Sequence, residues 1–156
     1  MSVGEQVSFF APAGEFTVNS GVQEGTNPLV FVGTGSGLAP LRAMILDQLR
    51  TRETTRPIKL HWGMHDAESL FWLDYFEELH KNYPNFTYDV TLSKAPDEWT
   101  LCRGRVTNCL TIHELLPDAQ YYICGNPHMI TDVMGVLSGR GVAADHMHHE
   151  KFTVAE

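Results

Sequence analysis

Gly33-Thr34-Gly35-Ser36-Gly37-Leu38-Ala39-Pro40 follows the apolar run Pro28-Leu29-Val30-Phe31-Val32 and leads into Leu41-Arg42-Ala43-Met44-Ile45-Leu46. That order predicts a strand, a glycine turn and a helix. Glycines let the backbone turn tightly and approach a ligand closely, while the free N–H groups and positive end of the next helix attract a pyrophosphate. Pro40 suits a first helical turn, where one N–H has no partner in any case. The spacing is G-x-G-x-G, not the G-x-G-x-x-G of the dinucleotide fingerprint, and the Lys-Ser/Thr of a P-loop is absent.

The pattern recurs along the chain. Ile58-Lys59-Leu60-His61-Trp62 ends at Gly63 and precedes a helical periodicity over 70–79. A third strand is expected over 87–92, followed by a polar loop over 93–104 and a helix over 106–116. Gln120-Tyr121-Tyr122-Ile123-Cys124 then runs into Gly125-Asn126-Pro127, and Met129, Ile130, Val133, Met134 and Leu137 share one helical face that Gly139 and Gly141 terminate. A last short strand fits 146–154. Strands alternating with helices imply an α/β domain in three layers: a five-stranded parallel sheet with helices on both faces and ligands at the strand carboxyl ends. Three of those ends carry Gly33, Gly63 and Gly125. Residues 1–25 fall outside the pattern and read as two short β segments around a Pro/Gly turn, so the domain proper is expected to span 26–156.

Composition narrows the function classes. With 156 residues, 43% of them hydrophobic, the chain suits one core. Its net charge of −8, with no basic run interleaved with aromatics, argues against a nucleic-acid partner. No apolar run approaches a membrane span and no signal peptide opens the chain, so a soluble, cytoplasmic protein is expected. The three cysteines, Cys102, Cys109 and Cys124, form no C-x-x-C pair, which predicts neither a disulfide framework nor a cysteine-held metal. His146, His148 and His149 cluster, but neighbouring strand residues face opposite sides, so no metal site is expected there either.

At several points these residues resemble the pyridine-nucleotide-binding domain of the ferredoxin-NADP reductase family, flavoenzymes that pass hydride from NAD(P)H to FAD. Gly33 to Pro40 resembles the family's G-T-G-x-(G)-x-A-P loop, and His61-Trp62-Gly63-Met64-His65 its Y/W-G-x-R turn, with His65 in place of arginine. Leu92-Ser93, Trp99 and Arg103-Gly104-Arg105-Val106-Thr107 resemble the third-strand loop, and Tyr122 to Met129 the C-G-x-P-x-M segment. His149-Glu150-Lys151-Phe152 resembles the E-K-F ending of NADH-using oxygenase reductases. Residues 7–18 resemble the end of the family's FAD-binding barrel, whereas its R-x-Y-S flavin motif is absent.

The resemblance implies roles. Gly33, Thr34, Gly35, Ser36 and Gly37, with Gly63, Gly125, Asn126 and Met129, are expected to hold the dinucleotide. His65 is expected to bind the cofactor from its turn, and Ser93 and Lys94 are expected near the adenosine ribose, where Lys94 with Arg103 or Arg105 would serve NADPH; the Trp99 loop and the E-K-F ending lean instead to NADH. Cys124 and Glu150 are the expected catalytic pair, Cys124 beside the nicotinamide and Glu150 toward the flavin, with Phe152 covering the isoalloxazine. The implied activity is hydride delivery from NADH or NADPH to FAD in a separate or missing domain or subunit, and onward to an electron acceptor. A non-catalytic nucleotide-sensing or docking module for a flavin or iron–sulfur subunit is the alternative.

Overall fold

A computed structural model describes residues 2–6, 8 and 14–151. Six strands form one parallel sheet in the order β4-β3-β2-β1-β5-β6: β1 (Leu29–Thr34), β2 (Ile58–Met64), β3 (Phe86–Leu92), β4 (Cys102–Arg103), β5 (Gln120–Gly125) and β6 (Met147–Lys151). Five are the strands that the sequence pattern predicts. The sixth, β4, is only two residues long and too short to leave a periodic signal in the polar 93–104 stretch, where a loop is expected.

Alternation along the strands sorts the core into two layers. Leu29, Phe31, Leu60, Trp62 and Tyr122 pack beneath α2 (Leu38–Leu46) and α3 (Leu73–Asn82), while Val30, Val32, Tyr121 and Ile123 pack beneath α4 (Val106–Ile112) and α5 (Pro127–Gly139). β1 and β5 are interior strands, and every residue from Leu29 to Gly33 and from Gln120 to Gly125 is buried. α3 is the most amphipathic helix, burying Phe76 and Leu79 and turning Glu77 and Lys81 outward. It begins three residues later than the periodicity predicts, because Trp72 adopts a left-handed φ of 59° and marks its start. α4 ends early, at Ile112, where His113 turns extended.

A four-residue helix, α1 (Ser20–Gln23), and the residues just before it belong to the same core. Val18 is buried within it, and Phe16 and Val22 pack against it. Arg56, itself buried, donates to the carbonyls of Val22 at 2.6 Å and Gly25 at 3.2 Å and to Gln48 Oε1, pinning α1 to the body. The boundary expected at 25/26 therefore runs through packed structure. The β segments expected over 7–18 and the aromatic at Phe152 lie wholly or largely outside the described residues.

Candidate nucleotide site

Gly33, Gly63 and Gly125 do end neighbouring strands, since Gly33 pairs with Trp62 and Cys124, and Thr34 with Gly63. Their smallness serves the protein's own packing. A Cβ at Gly33 would meet Leu41 at 2.7 Å, and one at Gly63 or Gly125 would meet the Thr34 side chain at 2.9 or 2.5 Å. Gly37 is the most constrained, because its Cβ would sit 2.3 Å from the Cys124 carbonyl oxygen, backbone against backbone. Gly35 differs: φ is +54° and nothing lies within 4 Å of where its Cβ would be. This is the glycine whose open space a ligand can use.

In front of this turn lies a cleft of about 880 Å³, within the ~300–1,000 Å³ range of ligand and cofactor sites. Thr34 and Gly35 form its floor, Gly63, Met64 and His65 one side, Ser93 and Lys94 the rim, Gly104, Arg105, Val106 and Thr107 a second wall, and Asn126, His128, Met129 and Asp132 a third. Three helical N-termini open into it: the 3-10 turn Gly35–Gly37 that leads into α2, the start of α4, and the start of α5. Asn126 caps α5 by accepting from His128 N–H at 2.9 Å, with Pro127 in the first turn. The Arg105 N–H donates to Asn108 Oδ1 at 2.9 Å at the head of α4. Converging helix N-termini present partial positive charge and free N–H groups, which suits a pyrophosphate.

Of the expected binding residues, Thr34, Gly35, Gly63, His65, Ser93, Lys94, Arg105, Asn126 and Met129 line the cleft. At the rim, Ser93 Oγ lies 2.9 Å from His65 Nδ1. Ser69 holds the neighbouring Asp66 carboxyl below its usual range through hydroxyl and backbone hydrogen bonds. Arg105 faces Asp132 at 3.5 Å across the opening, with both side chains exposed. Arg103 is placed elsewhere: its guanidinium reaches the carbonyls of Pro96, Asp97 and Trp99 at 2.8–2.9 Å and of Ala95 at 3.4 Å, so it braces the loop instead of lining the cleft. Gly33, Gly37 and Gly125 support the floor from behind, and Ser36 is exposed outside it. Asp132 had no motif to announce it, and His128 stands at the unspecified position of the C-G-x-P-x-M segment. Asp132 joins the site because it stands three residues after Met129 and four after His128, spacings that share one helix face.

Cys124 and Glu150 do meet, as register partners on β5 and β6. Cys124 is fully buried, and burial, reinforced by the Glu150 carboxylate, pushes its thiol up to about 11. It is therefore a neutral thiol that does not reach the cleft, while Glu150 is exposed at the sheet edge. His148 is held by Gln120 Oε1 at 2.9 Å and stacks on Tyr122 at 4.7 Å.

A polar pocket unforeseen in the sequence lies under α4. His61 and Asp89 from β2 and β3 meet Cys109 and His113 of the α4 segment and Cys102 of β4. Burial holds His61 down at about 4 against the pull of Asp89. It also pushes Cys109 up to about 12, with help from the contact to Cys102.

A family model described as an oxidoreductase NAD-binding domain matches residues 31–134, from mid-β1 into α5. One subunit of the Na(+)-translocating NADH-quinone reductase of Actinobacillus pleuropneumoniae is 33% identical over 96% of this chain. The chain spans only 37% of the length of that relative. The cytochrome P450 reductase GcoB of Amycolatopsis superposes with a TM-score of 0.83 at 28% identity, over 94% of this chain and 44% of that one. A ferredoxin NADP+ reductase from Neisseria gonorrhoeae, solved with FAD and NADP, superposes at 0.67 with 25% identity, over 80% of this chain and 56% of that one.

Proposed function

Since the chain belongs to the oxidoreductase NAD-binding domain family, we propose that its cleft binds NADH and presents the nicotinamide for hydride delivery to an FAD carried on a separate domain or subunit. The observation that carries this reading is the convergence of three helical N-termini on the open backbone of Gly35 at the strand carboxyl ends. When bound, NADH supplies the hydride; this chain's own residues bind, orient and exclude water.

The pyrophosphate lies against Gly35, Thr34 and Asn126, with the α5 N-terminus behind it. The adenosine ribose lies toward Ser93 and Lys94. Arg103 is occupied by loop carbonyls and Arg105 faces Asp132, which leaves Lys94 as the cation for a 2′-phosphate and supports NADH over NADPH. Cys124 contributes shape at the end of β5, because a buried thiol with so high a pKa keeps its proton at physiological pH. Glu150, exposed beside it, offers a carboxylate to the flavin side. The names of the relatives, a quinone reductase component and a P450 reductase, support onward electron transfer to an acceptor outside this chain.

Calorimetric titration with NADH and NADPH, with and without FAD, tests this. Saturable NADH binding, tighter than NADPH and independent of FAD, is the expected result, with no FAD retained by the purified 156-residue chain. Failure to bind either nucleotide, together with stable capture of a flavoprotein, would make the domain a docking module instead.

A further inference from the structure

We propose that Cys102, Cys109 and His113, with water in the fourth position, form a zinc site that fastens β4 and α4 behind the nucleotide cleft. Ligating atoms of these three lie within 4.8 Å of one another, while His61 groups with Asp89 and Cys109 beside them. Cys102 Sγ is 3.5 Å from His113 Nε2, and Cys109 Sγ is 3.6 Å from His61 Nδ1. Bonds of ~2.3 Å to sulfur and ~2.0–2.1 Å to nitrogen at tetrahedral angles place ligand atoms roughly 3.5 Å apart, so the Cys102–His113 separation already suits the ion. The two sulfurs, 2.6 Å apart, must open by about 1 Å to share it.

The donor chemistry is selective. Two thiols and an imidazole are a soft, nitrogen-and-sulfur set that suits zinc and disfavours magnesium or calcium. Cys109 lies in α4 and His113 just past its end, four residues on, and Cys102 reaches them from β4. His113 presents Nε2 to the thiols while its Nδ1 faces Asp89 Oδ2 at 3.8 Å, too long for a hydrogen bond but on the side from which a carboxylate orients a metal-bound ring once the gap closes. Cys102 and His113 are only half-buried, which leaves an entry route. Binding releases the two thiol protons and changes no oxidation state.

The location explains what the ion does. Cys102 is two residues from Gly104 and three from Arg105, both in the cleft wall, and α4 begins at Val106, which lines the same wall. Zinc here ties that wall to the sheet.

The test uses the untagged full chain purified with reductant. Metal analysis is expected to find one zinc per chain. Cobalt(II) replacing it should give thiolate charge-transfer absorption and the intense visible bands of a tetrahedral centre. Cys102→Ser and His113→Gln should abolish those bands, and Asp89→Asn should weaken zinc binding about 10–100-fold. Because the spectrum is read on the wild-type chain, the outcome does not depend on a variant folding. Substoichiometric zinc with an octahedral cobalt spectrum would overturn the proposal. So would a Cys102–Cys109 disulfide that persists under reductant. Nucleotide titration of the zinc-loaded chain runs alongside, so failure to bind NADH while zinc binds would refute the functional reading and leave the metal site standing.

Discussion

From β1 to α2 the chain crosses the top of the sheet through the three-residue turn Gly35–Gly37, whereas from β3 to α4 it wanders through 93–105 before α4 begins. Both corners wall the same cleft, yet they are held by different physics. The first is fixed by backbone packed on backbone, Gly37 against the Cys124 carbonyl. The second is held by side chains: the Arg103 guanidinium on four carbonyls, the Trp99 Nε1–H donating to the Cys102 carbonyl at 3.1 Å, and the polar pocket beneath α4. A corner made by close packing tolerates no added atom, while one made by polar ties loosens by degrees.

The comparison breaks most sharply at Gly37. Gly37→Ala puts a methyl 2.3 Å from a carbonyl oxygen that no rotamer can move. Overpacking of this kind costs about 3 kcal/mol or more, which for a domain of this size lowers Tm by roughly 5–10 °C. Nucleotide binding should fall with it, because Gly35 follows the displaced turn. Thermal denaturation together with calorimetry reads both, and a variant with wild-type Tm would show that the corner is not packed as described. Gly35→Ala, facing open space, strains the backbone only through its positive φ and should cost about 1 kcal/mol.

The polar pocket under the second corner predicts the next effect, on acid stability in the presence of a chelator. His61 is buried and faces Asp89, Lys59, His113 and Cys109. Its folded pKa of about 4 lies below the ordinary value, so the unfolded chain binds the proton more readily than the folded one. The stability contributed by keeping it neutral is present above pH ~6.5 and is lost as pH falls toward about 4, by a few kcal/mol in order of magnitude. Denaturant melts at descending pH should show that slope, and His61→Gln should flatten it. An unchanged slope would place the acid-sensitive group elsewhere.

The contrast between the corners also explains what could be read in advance. The glycine corner was legible because steric necessity leaves a mark on sequence: a fully apolar strand, then glycines where Leu41, Thr34 and Cys124 leave no room, then a proline in the helical turn. The other corner was not, because β4 is two residues long and its partners are distant in sequence. Arg103, expected at the ribose, spends its donors on Pro96, Asp97 and Trp99. Cys102 and Cys109 carry no recognisable spacing, and only the packing of α4 on the sheet brings Cys109 to both Cys102 and His61. Cys124 and Glu150 were expected together, and the β5–β6 register does pair them, but Cys124 is buried in the core of the sheet and Gly37 packs on its backbone.

Arg103 tests the second corner directly, with a smaller effect. Arg103→Ala removes the fork that gathers the 95–99 carbonyls, and because the site is exposed the expected loss is about 1 kcal/mol. Hydrogen exchange over 95–101 should accelerate while α2 stays protected. Arg103→Lys should restore little, since a point charge cannot satisfy several carbonyls in a plane as the guanidinium does. Equal acceleration at both corners would show that they are one cooperative unit.

The smallest effect separates recognition from scaffolding. Lys94 sits exposed at the rim on the side of the second corner, its backbone N–H donating to the His65 carbonyl at 2.7 Å while the ammonium extends into solvent near Asp66. An exposed ion pair contributes about 0.2–1 kcal/mol, so Lys94→Ala should weaken NADPH by about 1.4- to fivefold and leave NADH unchanged, with Tm unaltered. Such a loss confined to NADPH would assign coenzyme choice to the β3–α4 corner and pyrophosphate binding to the glycine corner. An equal loss for both coenzymes would instead mean that Lys94 meets the shared pyrophosphate, and the two corners would then divide the dinucleotide at a different point along its length.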